Sequence, residues 1–122
     1  MGRYREADLS KLTRMPAADR PTKISVAEFA RPLEPRAAAT LLASFPDQLA
    51  ARALREVVAR TVAAHRAHRP VVLMLGGHVI KVGVSPCFIE LIEHGVITHV
   101  AMNGAAALHD VELARMGRTS ED

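Results

Sequence analysis

Residues 71–117 alternate short apolar runs with helical patterns, and this order restricts the fold more than any other feature of the chain. The run VVLML (71–75) follows Pro70, begins with two β-branched residues and ends at a Gly-Gly pair. A short, continuous apolar run between such breakers is typical of a strand that is covered on both faces. VITHVAM (96–102) predicts a second strand, and the helical pattern between the two runs favours parallel pairing through a right-handed crossover.

Helical patterns surround the two predicted strands. PRAAATLLASF has proline at a first-turn position, and the longer run after Pro46 repeats apolar residues at spacings of three and four. Ser85-Pro86 is typical of a helix start with Ser85 as the N-cap, and Gly95 and Gly117 are typical helix ends. The predicted helices are 35–45, 47–68, 86–94 and roughly 108–116. We therefore expect an α/β fold, a partial Rossmann-like, doubly wound parallel sheet with N-terminal helices.

The first 35 residues differ from the rest, because they are polar and punctuated by proline, with one short extended pattern at KISVAEF (23–29). We predict an extended arm over residues 1–35 that packs across a surface of the same chain or of a partner. A partial α/β nucleotide-binding domain is predicted over residues 36–122, since a chain of 122 residues has room for one domain. Two strands alone make a marginal sheet, so a homo-oligomer or a partner chain is expected.

Composition narrows the function classes. Residues 1–70 carry thirteen basic and seven acidic side chains, whereas residues 71–122 carry three and six. The basic excess is mostly arginine without interleaved aromatic residues, which favours a solvated helix face over nucleic-acid binding. The single cysteine, Cys87, excludes an internal disulfide and a cysteine-rich zinc site. No run reaches the ~18 apolar residues of a membrane helix, and no secretory signal opens the sequence, so a cytoplasmic protein is expected.

Two glycine-containing loops are predicted at the carboxyl ends of the two strands, where parallel sheets bind ligands. GGHVIKVGVS (76–85) and NGAAALHD (103–110) each lead into a predicted helix start, whose free N–H groups favour phosphate or another anion. Glycine and alanine let a ligand approach the backbone closely, although both loops are also compatible with ordinary turn chemistry. The candidate cofactor-binding residues are Gly76, Gly77, His78, Lys81, Gly83, Ser85, Asn103, Gly104 and Ala105.

His109 and Asp110 are the candidate catalytic residues, because histidine serves as an acid or a base near neutral pH. The same pair is compatible with an ordinary helix start in which Asp110 complements the helix dipole. Neighbouring helical residues point in different directions, so the pattern does not require a hydrogen bond between the two. The other histidines show no His-Glu or Cys-His spacing, and no metal site is predicted.

The stretch VVLMLGGHVIKVGVSPCFIELIEHGVITHVAMNGAAALHDVELA resembles the first cofactor-binding strand–loop–helix–strand–loop of the deoxyhypusine synthase family. The phrase GGHVIKVG…NGAAALHD…TSED is more similar to the uncharacterised bacterial and archaeal relatives than to the true synthases. The match covers residues 71 to about 117, under half of the chain, and is carried by the order and spacing of elements more than by identities. The resemblance implies a doubly wound fold that binds NAD at the strand ends, usually in a homotetramer.

The resemblance also assigns residues. The family's first loop falls on Gly76, Gly77 and His78, and its second loop on Asn103, Gly104 and Ala105. Its acidic cluster falls on Leu108, His109 and Asp110, of which only Asp110 is acidic. The imine-forming lysine of the synthases lies in a later glycine-rich segment that this sequence lacks. Two hypotheses follow: an NAD-dependent enzyme that oxidises an amine or alcohol by hydride transfer, with or without group transfer, or a truncated, non-catalytic half-domain that folds by oligomerisation.

Overall fold

The computed structural model describes residues 7–120, which form five α-helices and two small sheets, joined by short 3-10 turns. The helices are α1 (Pro35–Ser44), α2 (Leu49–Arg66), α3 (Gly77–Lys81), α4 (Ser85–Glu93) and α5 (Gly104–Met116). The strands are β1 (Ile24–Ser25), β2 (Val72–Leu75), β3 (His99–Met102) and β4 (Arg118–Thr119).

The predicted parallel pair is confirmed, and with it the mixed α/β class. β2 and β3 run parallel in a register that pairs Val72 with His99 and Leu75 with Met102, and α3 and α4 lie between them in the chain. β3 begins three residues later than predicted. The reason is that the Val96 and Ile97 N–H groups donate to the Leu91 carbonyl in the turn that ends α4, at 2.8 and 3.1 Å.

The predicted start of α5 at residue 108 is wrong, because the helix begins at Gly104. Asn103 is its N-cap, and the Asn103 side chain accepts a 2.9 Å hydrogen bond from the Ala106 N–H. The three alanines that follow are the best helix formers, so the capped segment continues directly into helix. Most of the predicted loop 103–110 is therefore the first turns of α5.

The predicted loop 76–85 is also shorter than expected, because α3 forms within it. Its last part leads into α4, where Val84 and not Ser85 occupies the N-cap position. Ser85 is the first helical residue, and no side-chain hydrogen bond caps this helix. Here the glycine pair after a strand marks the start of a helix. Sequence patterns of turn residues do not distinguish such a helix start from a turn.

The arm packs against the same chain. β1 pairs antiparallel with β4, so that Ile24 lies opposite Thr119 and Ser25 opposite Arg118. The Ala30 N–H donates to the Gly83 carbonyl at 2.9 Å, and Phe29 packs against the buried cluster. The N-terminal segment thus covers the carboxyl-terminal strand and the turn after α3.

The buried core is small and lies where α3 meets α5. Its members are Ile80, Ala106 and Leu113, with Phe29 and Leu75 partly buried against them. Among the described residues, none in α1 or α2 is buried. Neither of these helices, nor any other formed by residues 7–120, has the length and apolar character needed to cross a bilayer.

Arg55 connects α1 to α2. Its guanidinium donates to the carbonyl oxygens of Leu42 at 2.9 Å and Phe45 at 2.5 Å, which lie at the end of α1. The helix-terminal carbonyls that lack intrahelical partners are thereby satisfied. The two helices form one hairpin, which is joined to β2 through residues 67–71.

Candidate functional site

The carboxyl ends of β2 and β3 meet, as parallel strands predict. Leu75 and Met102 are the last paired residues, so Gly76 and Asn103 follow side by side. A Cβ atom added to Gly76 would lie 3.5 Å from the Asn103 Nδ2 atom. The two predicted glycine segments are therefore neighbours, and both open at the same edge of the sheet.

Gly77 has a packing role at this edge. A Cβ atom at Gly77 would lie 3.0 Å from the His109 Cδ2 atom and 3.1 Å from the Ala105 Cβ atom. The first turn of α3 can approach α5 this closely only because Gly77 has no side chain. By contrast, nothing lies within 4 Å of a Cβ atom built on Gly104, so the start of α5 faces open space.

His109 belongs to a chain of hydrogen-bonded side chains on the inner face of α5. Its Nδ1 atom lies 2.8 Å from the Thr119 hydroxyl, and that hydroxyl donates to a carboxylate oxygen of Glu112. The other Glu112 oxygen pairs with Arg20, whose second terminal nitrogen donates to the Ser120 hydroxyl at 2.7 Å. Thr119, Glu112 and Ser120 are buried, and the His109 side chain is nearly so.

Proton counting fixes the tautomer of a neutral His109. A threonine hydroxyl has one proton, and Thr119 gives it to Glu112, so the Thr119 oxygen must accept from the His109 Nδ1–H. The Nε2 atom then keeps a lone pair. Nε2 is bonded to Cδ2, the ring atom that faces Gly77, so the accepting edge of the imidazole lies beside the strand ends.

Glu112 is a buried carboxylate that the network keeps charged. The hydrogen bond from Thr119 lowers its pKa below the ordinary value of 4.5, desolvation opposes this, and the Arg20 charge lowers the pKa further. A buried carboxylate that gains two such partners is stable as the anion. The Glu112 carboxylate accepts the hydrogen bond from the Thr119 hydroxyl. The Thr119 oxygen is then left to accept from His109, and this orients the imidazole.

Sequence patterns do not identify Arg20, Glu112, Thr119 or Ser120 as members of the site. Only Glu112 carries a local signal, because it follows His109 by three residues on the same helix face. Arg20 comes from the arm, 92 residues away from its partner. Such a long-range pairing leaves no mark in a single sequence.

Asp110 and Ser85 do not join His109. They lie along a cavity of about 240 Å³ between α4, the sheet and α5, whose other lining residues are apolar. Within the described part of the chain, the Ser85 hydroxyl is a buried polar atom with no hydrogen-bond partner. The predicted catalytic pair is thus divided between two faces of α5.

The other predicted residues lie around these two places. His78 is exposed on α3 and Lys81 is half-buried at its end. Gly83 is buried with a φ of +79°, and a Cβ atom there would lie 3.0 Å from the Phe29 ring. Backbone conformation and packing therefore explain why this residue is glycine. A cavity of about 670 Å³ lies between the arm and the end of α5, away from the carboxyl ends of β2 and β3.

A metal centre has no support in residues 7–120, since no three His, Cys, Asp or Glu side chains converge there. Within residues 7–120, the candidate site is instead an imidazole whose Nε2 has no hydrogen-bond partner. A buried Thr-Glu-Arg chain holds it beside Gly77, on the helix that begins at Gly104. Comparison of the chain with protein-family models, with curated proteins and with solved structures finds no match.

Proposed function

We propose that the chain binds NAD at the carboxyl ends of β2 and β3, as part of a Rossmann-like, deoxyhypusine synthase-like nucleotide-binding unit. The observation that carries the proposal is the start of α5, which opens onto free space at Gly104, one residue after the Asn103 that lies beside Gly76. The first N–H groups of a helix have no intrahelical partner, and with the helix dipole they favour a phosphate. A pyrophosphate at this point would span Gly76, Asn103 and Gly104.

The same proposal gives His109 the role of base. Bound NAD would supply the hydride acceptor for a carbon that carries an amine or an alcohol. As the hydride leaves that carbon, the N–H or O–H proton of the substrate passes to Nε2 of His109, and a carbonyl or imine results. Thr119 and Glu112 hold the imidazole from its Nδ1 side, with the Cδ2–Nε2 edge beside Gly77. Asp110 lies on the other face of α5, in the cavity that it shares with Ser85, and takes no part in this step.

Thermal melting with and without NAD tests cofactor binding, with Gly104→Ala as a probe of the location. NAD at about 100 times its Kd should stabilise the wild-type chain by about 2.7 kcal/mol, a shift in Tm of at least about 5 °C. An alanine Cβ at 104 meets nothing in the protein, so it should not lower the Tm without NAD. It would fill the space in front of the helix and should abolish the NAD shift. A wild-type Tm that ignores millimolar NAD would contradict the proposal.

The second candidate is a non-catalytic half-domain that folds through oligomerisation, and one observation favours it. The chain exposes 10068 Å². A compact monomer of its mass, 13.2 kDa, exposes about 6,400 Å² by the surface scaling of monomeric proteins. A Tm that rises with protein concentration in the absence of NAD would support this candidate, and one that does not would contradict it.

A further inference from the structure

One face of the parallel sheet is uncovered. Leu73, Leu75, Val100 and Met102 line the cavity under α4, so the alternate residues of the two strands point to the opposite face. On that face Met74 is 80% exposed and Val72 is 55% exposed, and their partners on β3, Ala101 and His99, are exposed beside them. Parallel sheets are normally covered on both faces. This face of the β2–β3 sheet lacks such cover.

The second uncovered surface is an apolar stripe on α2. Leu54, Val57, Val58 and Val62 recur at spacings of three and four, and each is at least 40% exposed. These positions form one continuous side of a helix. In α/β folds, the helix that precedes a strand normally lies against the sheet. Here, within residues 7–120, α2 makes no extensive contact with β2 or β3, and only its carboxyl end, at His65, lines a cavity with Thr98 and His99.

The junction between α2 and β2 keeps the two surfaces apart within one chain. The His68 N–H donates to the His65 carbonyl at 3.0 Å, and the Arg69 N–H donates to the Ala64 carbonyl at 2.9 Å. These two bonds form the closing turn typical of a helix end, and Pro70 follows it. With this turn in place, the α2 stripe and the sheet face are both exposed within one chain, so both are available to another molecule.

We propose that the uncovered sheet face is the docking site for α2 of a second copy of this chain, in a reciprocal exchange. Each copy carries both halves of the contact, so a two-fold dimer covers both sheet faces and both stripes at once. The stripe extends about 12 Å along the helix, and four residues of strand extend about 10 Å, so the surfaces match in length.

The exposed area is sufficient for such a dimer. The excess over a compact monomer is about 3,600 Å² per chain and is spread over the whole chain. A stable interface removes about 800 Å² from each partner, so the dimer requires less than a quarter of that excess to lie on the two surfaces. A second copy is the one partner that brings the complementary helix and sheet together. This inference deepens the second candidate function and requires no NAD, so it and cofactor binding can fail separately.

Sedimentation equilibrium of two variants and their mixture tests the exchange. Met74→Glu places a charge on the sheet face and Val58→Lys places one on the stripe, and each variant alone should dimerise at least about 100-fold more weakly than the wild type. An equimolar mixture should recover dimers, because one contact then pairs the introduced carboxylate with the introduced ammonium group and the other contact is unchanged. Met15→Glu and Val82→Lys are the matched controls, since both residues are more than 60% exposed and lie outside the two surfaces.

Three results would overturn the inference. The wild-type chain could remain a monomer at about 100 μM, or the two variants could dimerise as tightly as their controls. Recovery of dimers could also fail in the mixture while each variant keeps its helical circular dichroism. Dimers that form in the wild type and reappear only in the mixture would support the exchange, and no lone surface substitution produces that pattern.

Discussion

The residue-level feature that defines this site is a buried charge, Glu112, whose contacts join three separate parts of the chain. Glu112 lies on α5, Thr119 on β4 and Arg20 in the arm. Burial of a carboxylate is costly unless hydrogen bonds and an opposite charge compensate for it, and here both are present. His109 is oriented only as long as this chain of contacts is intact, so the proposed base depends on the arm.

Glu112→Gln should make the stability of the chain less dependent on acid. The folded-state pKa of Glu112 is lowered from 4.5, so its ionised form stabilises the fold above that value, and the stabilisation is lost as the pH falls through the lowered pKa. At pH 7 we expect the variant to be less stable by about 1–3 kcal/mol, since a charged hydrogen-bonded pair is lost. Urea unfolding at pH 7 and pH 3 measures the difference between the two chains. That difference should shrink at pH 3, whereas an equal difference at both pH values would show that Glu112 acts only through packing. Glu93→Gln, on the exposed surface of α4, is the control.

At the scale of elements, the sequence predicts the parts whose signals are local. The apolar runs with their flanking breakers predict β2, β3 and their parallel pairing, and periodicity predicts α1, α2 and α4. The start of α5 is missed because Asn103-Gly104 is also typical of a turn, although asparagine is a preferred N-cap. α3 and the β1–β4 pair depend on tertiary contacts, since a five-residue helix that begins with glycine is stable only when it is packed.

The same limit applies to the candidate site. Strand ends and glycine positions predict where Gly76, Gly77 and Asn103 meet, because parallel strands end at one edge. The separation of His109 from Asp110 follows from the helical geometry of α5, which the predicted helix over roughly 108–116 already includes, since neighbouring helical residues point in different directions. The partners of His109 could not be predicted, because the bond from Arg20 to Glu112 spans 92 residues.

His68→Gly should stabilise the end of α2. His68 has a φ of +52° and occupies the position after the helix end that glycine usually takes, because a Cβ atom is strained there. Glycine removes that strain at a smaller entropic cost, so we expect a gain of about 0.5–1 kcal/mol in the free energy of unfolding. Gly117→Ala provides the opposite comparison, since Gly117 ends α5 with a φ of +67° and the variant should lose about 1 kcal/mol. Urea unfolding measures both, and a destabilised His68→Gly variant would indicate that the imidazole itself holds the junction.

At the scale of the whole molecule, the described chain has one packed region and one outlying hairpin. The packed region joins α3, α5 and the arm around Ile80, Ala106 and Leu113. The hairpin of α1 and α2 contributes no buried residue and leaves its apolar stripe exposed. The boundary predicted at residue 35 therefore separates the arm from α3 and α5, the helices that it packs against. In the chain, α1 and α2 lie between the arm and α3.

Deletions from the amino end should show that the arm is part of the folded unit. Removal of residues 1–19 keeps Arg20, β1 and Phe29, so the free energy of unfolding should change by less than about 1 kcal/mol. Removal of residues 1–33 deletes the partner of Glu112, the strand paired with β4 and the aromatic ring that encloses Gly83. The loss should be at least about 3 kcal/mol, because a buried carboxylate is left unpaired and apolar burial is lost with it. Urea unfolding followed by circular dichroism measures both deletions at one protein concentration. If the chain without residues 1–33 unfolded as cooperatively as the full chain and at the same urea concentration, the arm would not belong to the folded unit. The orientation of His109 would then have to be independent of Arg20.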